Sequence, residues 1–126
     1  MPEPNLTTSE WYVLDCLWDS APMTVMQLVA ALQQKVGWAK STTITTLTRM
    51  EAKGLLRAEA QGRGKQYYPT VERQEATRHE TRSFLDRVYR GSVGLMMSAM
   101  TDGTTLTKEE IDELYAILKQ AEAGLK

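Results

Sequence analysis

Residues 38–71 read WAKSTTITTLTRMEAKGLLRAEAQGRGKQYYPTV, and the reading of this stretch decides the fold. Between Trp38 and Gly54 six hydroxyl side chains (Ser41, Thr42, Thr43, Thr45, Thr46 and Thr48) share one segment with Lys40, Arg49 and Lys53. Threonine is a poor helix former, because its branched β-carbon loses rotamer freedom and its hydroxyl competes for the backbone. At the helical period, however, Ile44, Leu47 and Met50 gather on one side with Thr43 beside them. Ser41, Thr42, Thr45, Arg49 and Lys53 take the opposite side, with Thr46 at its edge. The segment reads as an amphipathic helix that exposes short hydroxyls and cations and ends at Gly54. From there the period drops to two, with Leu56, Ala58 and Ala60 alternating with Arg57, Glu59 and Gln61. Gly62-Arg63-Gly64 supplies a turn, and residues 66–71 read as a returning strand with Pro69 at an edge or an end. A two-stranded hairpin of this kind is marginal by itself and must lean on the helices.

Upstream, Thr7-x-x-Glu10 is a capping box with Leu6 and Trp11 as its hydrophobic staple, and Thr24-x-x-Gln27 repeats it with Met23 and Leu28. Far downstream, Thr107-x-x-Glu110 repeats it again with Leu106 and Ile111, and each box is worth about 1 kcal/mol. The first helix is expected over about residues 8–19, with Trp11, Leu14, Leu17 and Trp18 inward, Val13 at the margin and Cys16 off the main apolar face. Pro22 breaks it. The second covers about residues 25–34 with Leu28, Val29 and Leu32 inward, and Gly37 closes it. After the hairpin come a helix over residues 72–90 with Phe84, Leu85 and Val88 on its apolar side, then the Met-rich SVGLMMSAM. A loop, TDGT at 101–104, leads to a last helix over 108–122 with Ile111, Leu114, Tyr115, Leu118 and Ala121 as a stripe. The expected fold is mainly α with a small β-hairpin. Residues 1–71 form an N-terminal winged helix-turn-helix and residues 72–126 a C-terminal helical dimerisation region.

Charge is distributed in keeping with that division. The chain of 126 residues carries a formal net charge of −1, yet residues 36–71 hold six Lys and Arg against two Glu, so a basic island lies between acidic flanks. An apolar fraction of 42% and a charged fraction of 25% describe a folded chain. No apolar run approaches the roughly 18 residues of a membrane span. MPEPNLTTSE lacks a secretory pattern, so a cytoplasmic location is expected. The single cysteine, Cys16, permits no internal disulfide and no multi-cysteine metal site. No nucleophile–base set converges and GRGK lacks the spacing of a phosphate loop, so neither an enzyme nor a bound cofactor or metal is expected. His79 reads as a surface or interface residue. Met96, Met97 and Met100 read as packing rather than as thioether ligands.

Three helices followed by a hairpin, with the positive charge on the third helix and the hairpin, is the order of a winged helix-turn-helix that puts its third helix into the major groove of DNA. Short hydroxyls let the helix axis approach the bases. They also bond phosphates or base edges. The candidate DNA contacts are Lys40, Ser41, Thr42, Thr45, Thr46, Arg49 and Lys53 on the helix, with Arg63 and Lys65 on the wing. Arg49 is suited to fork onto a guanine or a phosphate, and Lys53 to a phosphate. The C-terminal helices present apolar stripes with no second layer in the same chain, so a second copy is expected to cover them. Phe84, Val88, Leu95, Met96, Leu114 and Leu118 are the candidate dimer contacts. The alternative function for the same fold is a winged-helix dimer serving as a protein–protein module without sequence-specific DNA binding.

The segments LTTSEWYVLDCLW, MTVMQLVAAL, TTITTLTRMEAKGLL, GRGKQYYPTV and ETRSFLDRVYRGSVGLM, together with Trp38, closely resemble the penicillinase-repressor family of BlaI, MecI and CopY type. The resemblance implies a homodimeric winged-helix repressor with a C-terminal helical dimerisation part and operators of two-fold symmetry of the TACA–TGTA kind. It also marks three departures. Resistance repressors carry an Asn-Phe bond cut by a signalling protease, and the matching positions here are Ala99-Met100. That route is therefore not carried over, and the releasing agent, an inducer or a protease, stays open. The cysteine-rich, metal-binding tail of the copper-responsive members has no counterpart here. Members often open the third helix with Ser-Pro where Ala39-Lys40 stand, and a DNA phosphate could serve the exposed N–H groups there in place of a cap.

Overall fold

The computed structural model of the protein describes residues 5–103 and 105–125. Helix α1 (Thr8–Ser20) starts at the first capping box: the Glu10 N–H donates to Thr7 Oγ1 at 3.2 Å and the Thr7 N–H donates to Glu10 Oε1 at 2.9 Å. The same reciprocal pair starts α2 (Val25–Val36) at Thr24 and Gln27. All three boxes form as the spacing predicts, the third being Thr107 with Glu110. Gly37 ends α2 at φ +72°, its N–H donating to the Gln33 and Leu32 carbonyls. Trp38 and Ala39 then turn the chain into α3 (Lys40–Ala52).

Between α1 and α2 lies an element that the sequence pattern does not announce. Met23–Thr24 forms a short strand, β1, paired antiparallel with β3 (Gly64–Pro69), whose other edge holds β2 (Leu56–Gln61). The expected two-stranded hairpin is thus a three-stranded sheet of order β1-β3-β2. Two residues are too few to show alternation. Thr24 can belong to both elements because an N-cap residue has extended backbone, here φ −78° and ψ 167°. The hairpin turn is Gly62-Arg63 between the paired Gln61 and Gly64, with Gly62 at φ +60°, the left-handed position that glycine fills without strain.

The core of this part joins Val13, Leu14, Leu17, Leu28, Leu32, Leu47 and Met50 of the helices to Leu55, Leu56, Tyr67 and Val71 of the wing. Two details correct the helical wheel for α1. Val13 and Cys16 are buried in this core, while Trp11 and Trp18 stand half-buried at its border with their rings edge to face, 5.3 Å apart. A tryptophan gains by such a place because its indole N–H can reach a partner, and Trp18 Nε1 donates to the Val71 carbonyl at 2.8 Å. In α3 the buried side is Thr43, Thr46, Leu47 and Met50, and Ile44 is exposed. Contact with α1, α2 and the wing sets the rotation of the helix, and Thr46 tolerates burial because its hydroxyl donates to the Thr42 carbonyl at 2.8 Å.

Helix α4 (Arg73–Tyr89) begins by clamping onto α1. Arg73 pairs with Asp19 at 2.8 Å and lies over the Trp18 ring, and Ala76 is fully buried in the same core, which therefore continues beyond Val71. The chain separates into two compact units divided between Ser83 and Phe84. The second unit holds the rest of α4, then α5 (Val93–Gly103) and α6 (Lys108–Ala123). Thr101, Asp102 and Gly103, expected in a loop, continue α5, where Thr101 Oγ1 is within 3.1 Å of the Met97 and Ser98 carbonyls. Thr104, the last residue of that expected loop, lies outside the described residues. Among the described residues of this unit only Leu85 is buried.

Candidate nucleic-acid interface

The surface that α3 leaves uncovered faces a groove of about 330 Å³ lined by Ser41, Thr42, Thr45, Thr46 and Arg49, with Ser9 of α1 as its far wall. Five of the six lining residues carry hydroxyls and the sixth is a cation. Ser9 escapes a sequence reading because its place beside α3 comes from the packing of α1. Its only local signal is a position inside the first capping box. At the start of α3, Ala39 makes no side-chain cap, so the first N–H groups of the helix have no side-chain acceptor there.

The nine candidate DNA contacts fall into distinct settings. Lys40, Ser41, Thr42, Thr45 and Arg49 are exposed on α3, and Arg63 is exposed at the hairpin turn. Thr46 is only 8% exposed and its hydroxyl is already engaged by its own helix. Lys53 caps the far end of α3, and its ammonium sits 2.5 Å from Oε2 of Glu10, a side chain 5% exposed. Burial pushes the Glu10 carboxyl up, but Lys53 and the Thr7 N–H outweigh it and hold the group below its ordinary value. Lys65 lies 3.7 Å from Glu51, which ties the wing to α3. Arg57 pairs with Glu59 and stacks over Tyr68. Among the described residues, then, Lys40, Arg49 and Arg63 are the cations of the basic island with no ion-pair partner.

Of the candidate dimer contacts, Phe84, Val88, Leu95 and Leu118 are exposed, and Met96 and Leu114 are half-buried. An apolar groove of about 290 Å³ runs along α6, lined by Leu114, Tyr115 and Leu118 with Met97, Thr101, Leu106 and Ile111. Elsewhere, Cys16 is buried and its thiol is pushed above its ordinary value by that burial, which leaves it without thiolate character. His79 is half-buried on α4. Among the described residues no three of His, Cys, Asp and Glu gather as a metal site would need, and no helix is long and apolar enough to cross a membrane.

The chain is similar to known proteins over most of its length. The family model described as Penicillinase repressor matches residues 6–120. A penicillinase repressor of Bacillus licheniformis is 28% identical over 117 residues, covering 93% of this chain and 91% of its own. An uncharacterised 16.5 kDa protein in the ptsI 3′ region of Latilactobacillus sakei is 34% identical over 114 residues, covering 90% of this chain and 78% of its own. Among solved structures, the DNA-binding domain of the repressor BlaI superposes with a TM-score of 0.53 at 23% identity, over 59% of this chain and 90% of that domain.

Proposed function

Because this chain belongs to the penicillinase repressor family, we propose that it is a transcriptional repressor that binds an operator of two-fold symmetry as a homodimer. The family is one of repressors and not of enzymes. The observation that carries the reading is the groove beside α3, where hydroxyls surround Arg49 and, among the described residues, no acid pairs with it. A surface of short hydroxyls around an unpaired guanidinium is suited to base edges and phosphates, and Lys40 and Arg63 extend the positive charge toward the backbone on either side. Lys53 and Lys65 support this surface from their ion pairs with Glu10 and Glu51.

Dimerisation supplies the symmetry. Leu95, Leu118 and Tyr115 are each 60% exposed or more, and side chains of this size in a helical unit with one buried residue among those described support a second copy as their cover. Two copies related by a two-fold axis would present two α3 helices about 34 Å apart, one turn of DNA, and so read a palindrome. Occupying such a site blocks access to a promoter.

The test is an electrophoretic titration of a symmetric duplex with TACA and TGTA arms against a scrambled duplex of the same length and composition. Tight binding to the first and salt-sensitive weak binding to the second is the expected result. Equal weak binding to both would overturn the repressor reading in favour of a protein–protein module.

A further inference from the structure

Helix α3 carries one large aliphatic side chain that the fold leaves in water, Ile44, at 39% exposure. Its neighbours on the outward side are hydroxyls and charges. One turn on, Thr48 is exposed too, but its hydroxyl donates to the Ile44 carbonyl at 3.0 Å, leaving its methyl as the group it can offer outward. A further turn brings Glu51, which faces Lys65 of the wing. Residues spaced in this way share a stripe of the helix. The stripe borders the wing, whereas Thr42 and Arg49 border Ser9 on the side of α1. The recognition surface therefore has a polar edge and an apolar edge.

We infer that the apolar edge, Ile44 with the Thr48 methyl, reads the 5-methyl group of a thymine in each half-site. In the major groove the thymine methyl is the one methyl group that a base pair presents, set among donors, acceptors and the small C5–H of cytosine. An isoleucine contributes nothing to hydrogen-bond readout, and against cytosine or guanine it would strip water from polar edges without replacing it. Against a thymine both partners lose apolar surface to water. The inference rests on the proposal that α3 enters the major groove, and it adds a base preference that Arg49 and the hydroxyls do not specify.

Uracil in place of thymine removes the methyl and keeps every hydrogen-bonding group, so it isolates this contact. Each thymine of one arm of the symmetric duplex is replaced in turn, and binding of the full chain is titrated. At one position the affinity is expected to fall about fourfold, the value of one methyl group buried. Ile44→Ala is expected to lose most of the penalty at that position, leaving at most the share of the Thr48 methyl, and Ile44→Val to show a penalty between the two. Because the side chain is exposed, neither change disturbs the core, which far-ultraviolet circular dichroism checks. Preference for the symmetric duplex over the scrambled one, with no uracil penalty anywhere, would overturn this inference and leave the repressor reading standing. A penalty that survives Ile44→Ala undiminished would assign the methyl to a side chain outside this edge and overturn it as well. Loss of all preference for the symmetric duplex would remove both.

Discussion

The Lys53 ammonium lies 2.5 Å from Oε2 of Glu10, joining the end of α3 to the first turn of α1. The two residues are 43 positions apart in the chain. Glu10 is also the acid of the capping box, so one carboxylate serves the Thr7 N–H with one oxygen and Lys53 with the other. A cation on the candidate DNA surface thereby acts as part of the scaffold that sets the angle of α3. Lys53→Met should accordingly cost about 1–3 kcal/mol of stability, because it leaves a buried carboxylate with one oxygen unserved. The salt dependence of DNA binding should stay as in the parent protein. Urea unfolding and a salt titration of the same variant measure the two effects, and a fall in the salt slope without loss of stability would return Lys53 to the phosphates.

The same carboxylate predicts a pH dependence. Glu10 is held below its ordinary value of 4.5 in the folded protein. A group depressed by folding adds stability that is fully present above its unfolded value, and that stability is lost as the pH falls through the folded value. The urea midpoint of the parent should therefore decline as the pH drops below about 4.5. Glu10→Gln keeps a capping amide but cannot ionise, so its midpoint should be lower at neutral pH and flatter across the acid range. Parallel curves for the two proteins would show that other carboxylates carry the acid sensitivity.

How much of this was legible in the sequence follows from the range of the interactions. The capping boxes at Thr7, Thr24 and Thr107 are complete within four residues, and their spacing announces them. The hairpin is legible for the same reason, since Gly62 and the alternation on either side are local. The strand Met23–Thr24 is set by a partner more than forty residues away, so nothing near it signals pairing. The exchange of Ile44 and Thr46 is of the same kind. A helical wheel ranks side chains by hydrophobicity, but the rotation of α3 is set by packing against α1, α2 and the wing. A threonine that bonds its own helix is inexpensive to bury. The groove opposite Ser9 and the neutralisation of Lys53 by Glu10 follow from that same packing, which is why the candidate contacts split into free and engaged cations only in three dimensions.

Thr43 tests the packing of α3 from the other side. It is fully buried, and its hydroxyl is the one buried side-chain polar atom among the described residues with no hydrogen-bond partner. A buried donor without a partner costs roughly 1–3 kcal/mol, and valine has the same shape without the hydroxyl. Thr43→Val should raise stability by about 1 kcal/mol and Tm by several degrees, with DNA affinity unchanged because the side chain reaches no surface. Calorimetry measures the first and a duplex titration the second. A lower Tm would mean that the hydroxyl has a partner in solution.

The unpaired cations should separate by role. Arg49 lines the groove with the hydroxyls, and Arg63 stands at the hairpin turn. If Arg49 reads a base, Arg49→Ala costs about 1–3 kcal/mol on the symmetric duplex and much less on the scrambled one. Arg63→Ala should weaken both duplexes alike and lower the slope of log K against log salt by about 0.9, the effect of one lost phosphate contact. Equal losses on both duplexes for Arg49→Ala would make it a phosphate ligand.

The last prediction concerns the helices after Ser83. Leu95 on α5 and Leu118 on α6 are 60% and 64% exposed, so a charge at either place disturbs nothing that the single chain buries. In a dimer that covers them, the same charge would have to be desolvated against apolar neighbours, a large penalty that dissociation avoids. Leu95→Glu and Leu118→Glu should therefore keep the helical content of the parent and sediment as monomers at concentrations where the parent sediments as a dimer. Binding to the symmetric duplex should then weaken strongly, because the two half-sites no longer share one protein. Binding to a single half-site should change little, since the α3 groove lies wholly within the first unit. A charged variant that still sediments as a dimer would place the interface on another face and leave the exposed leucines without a role in assembly.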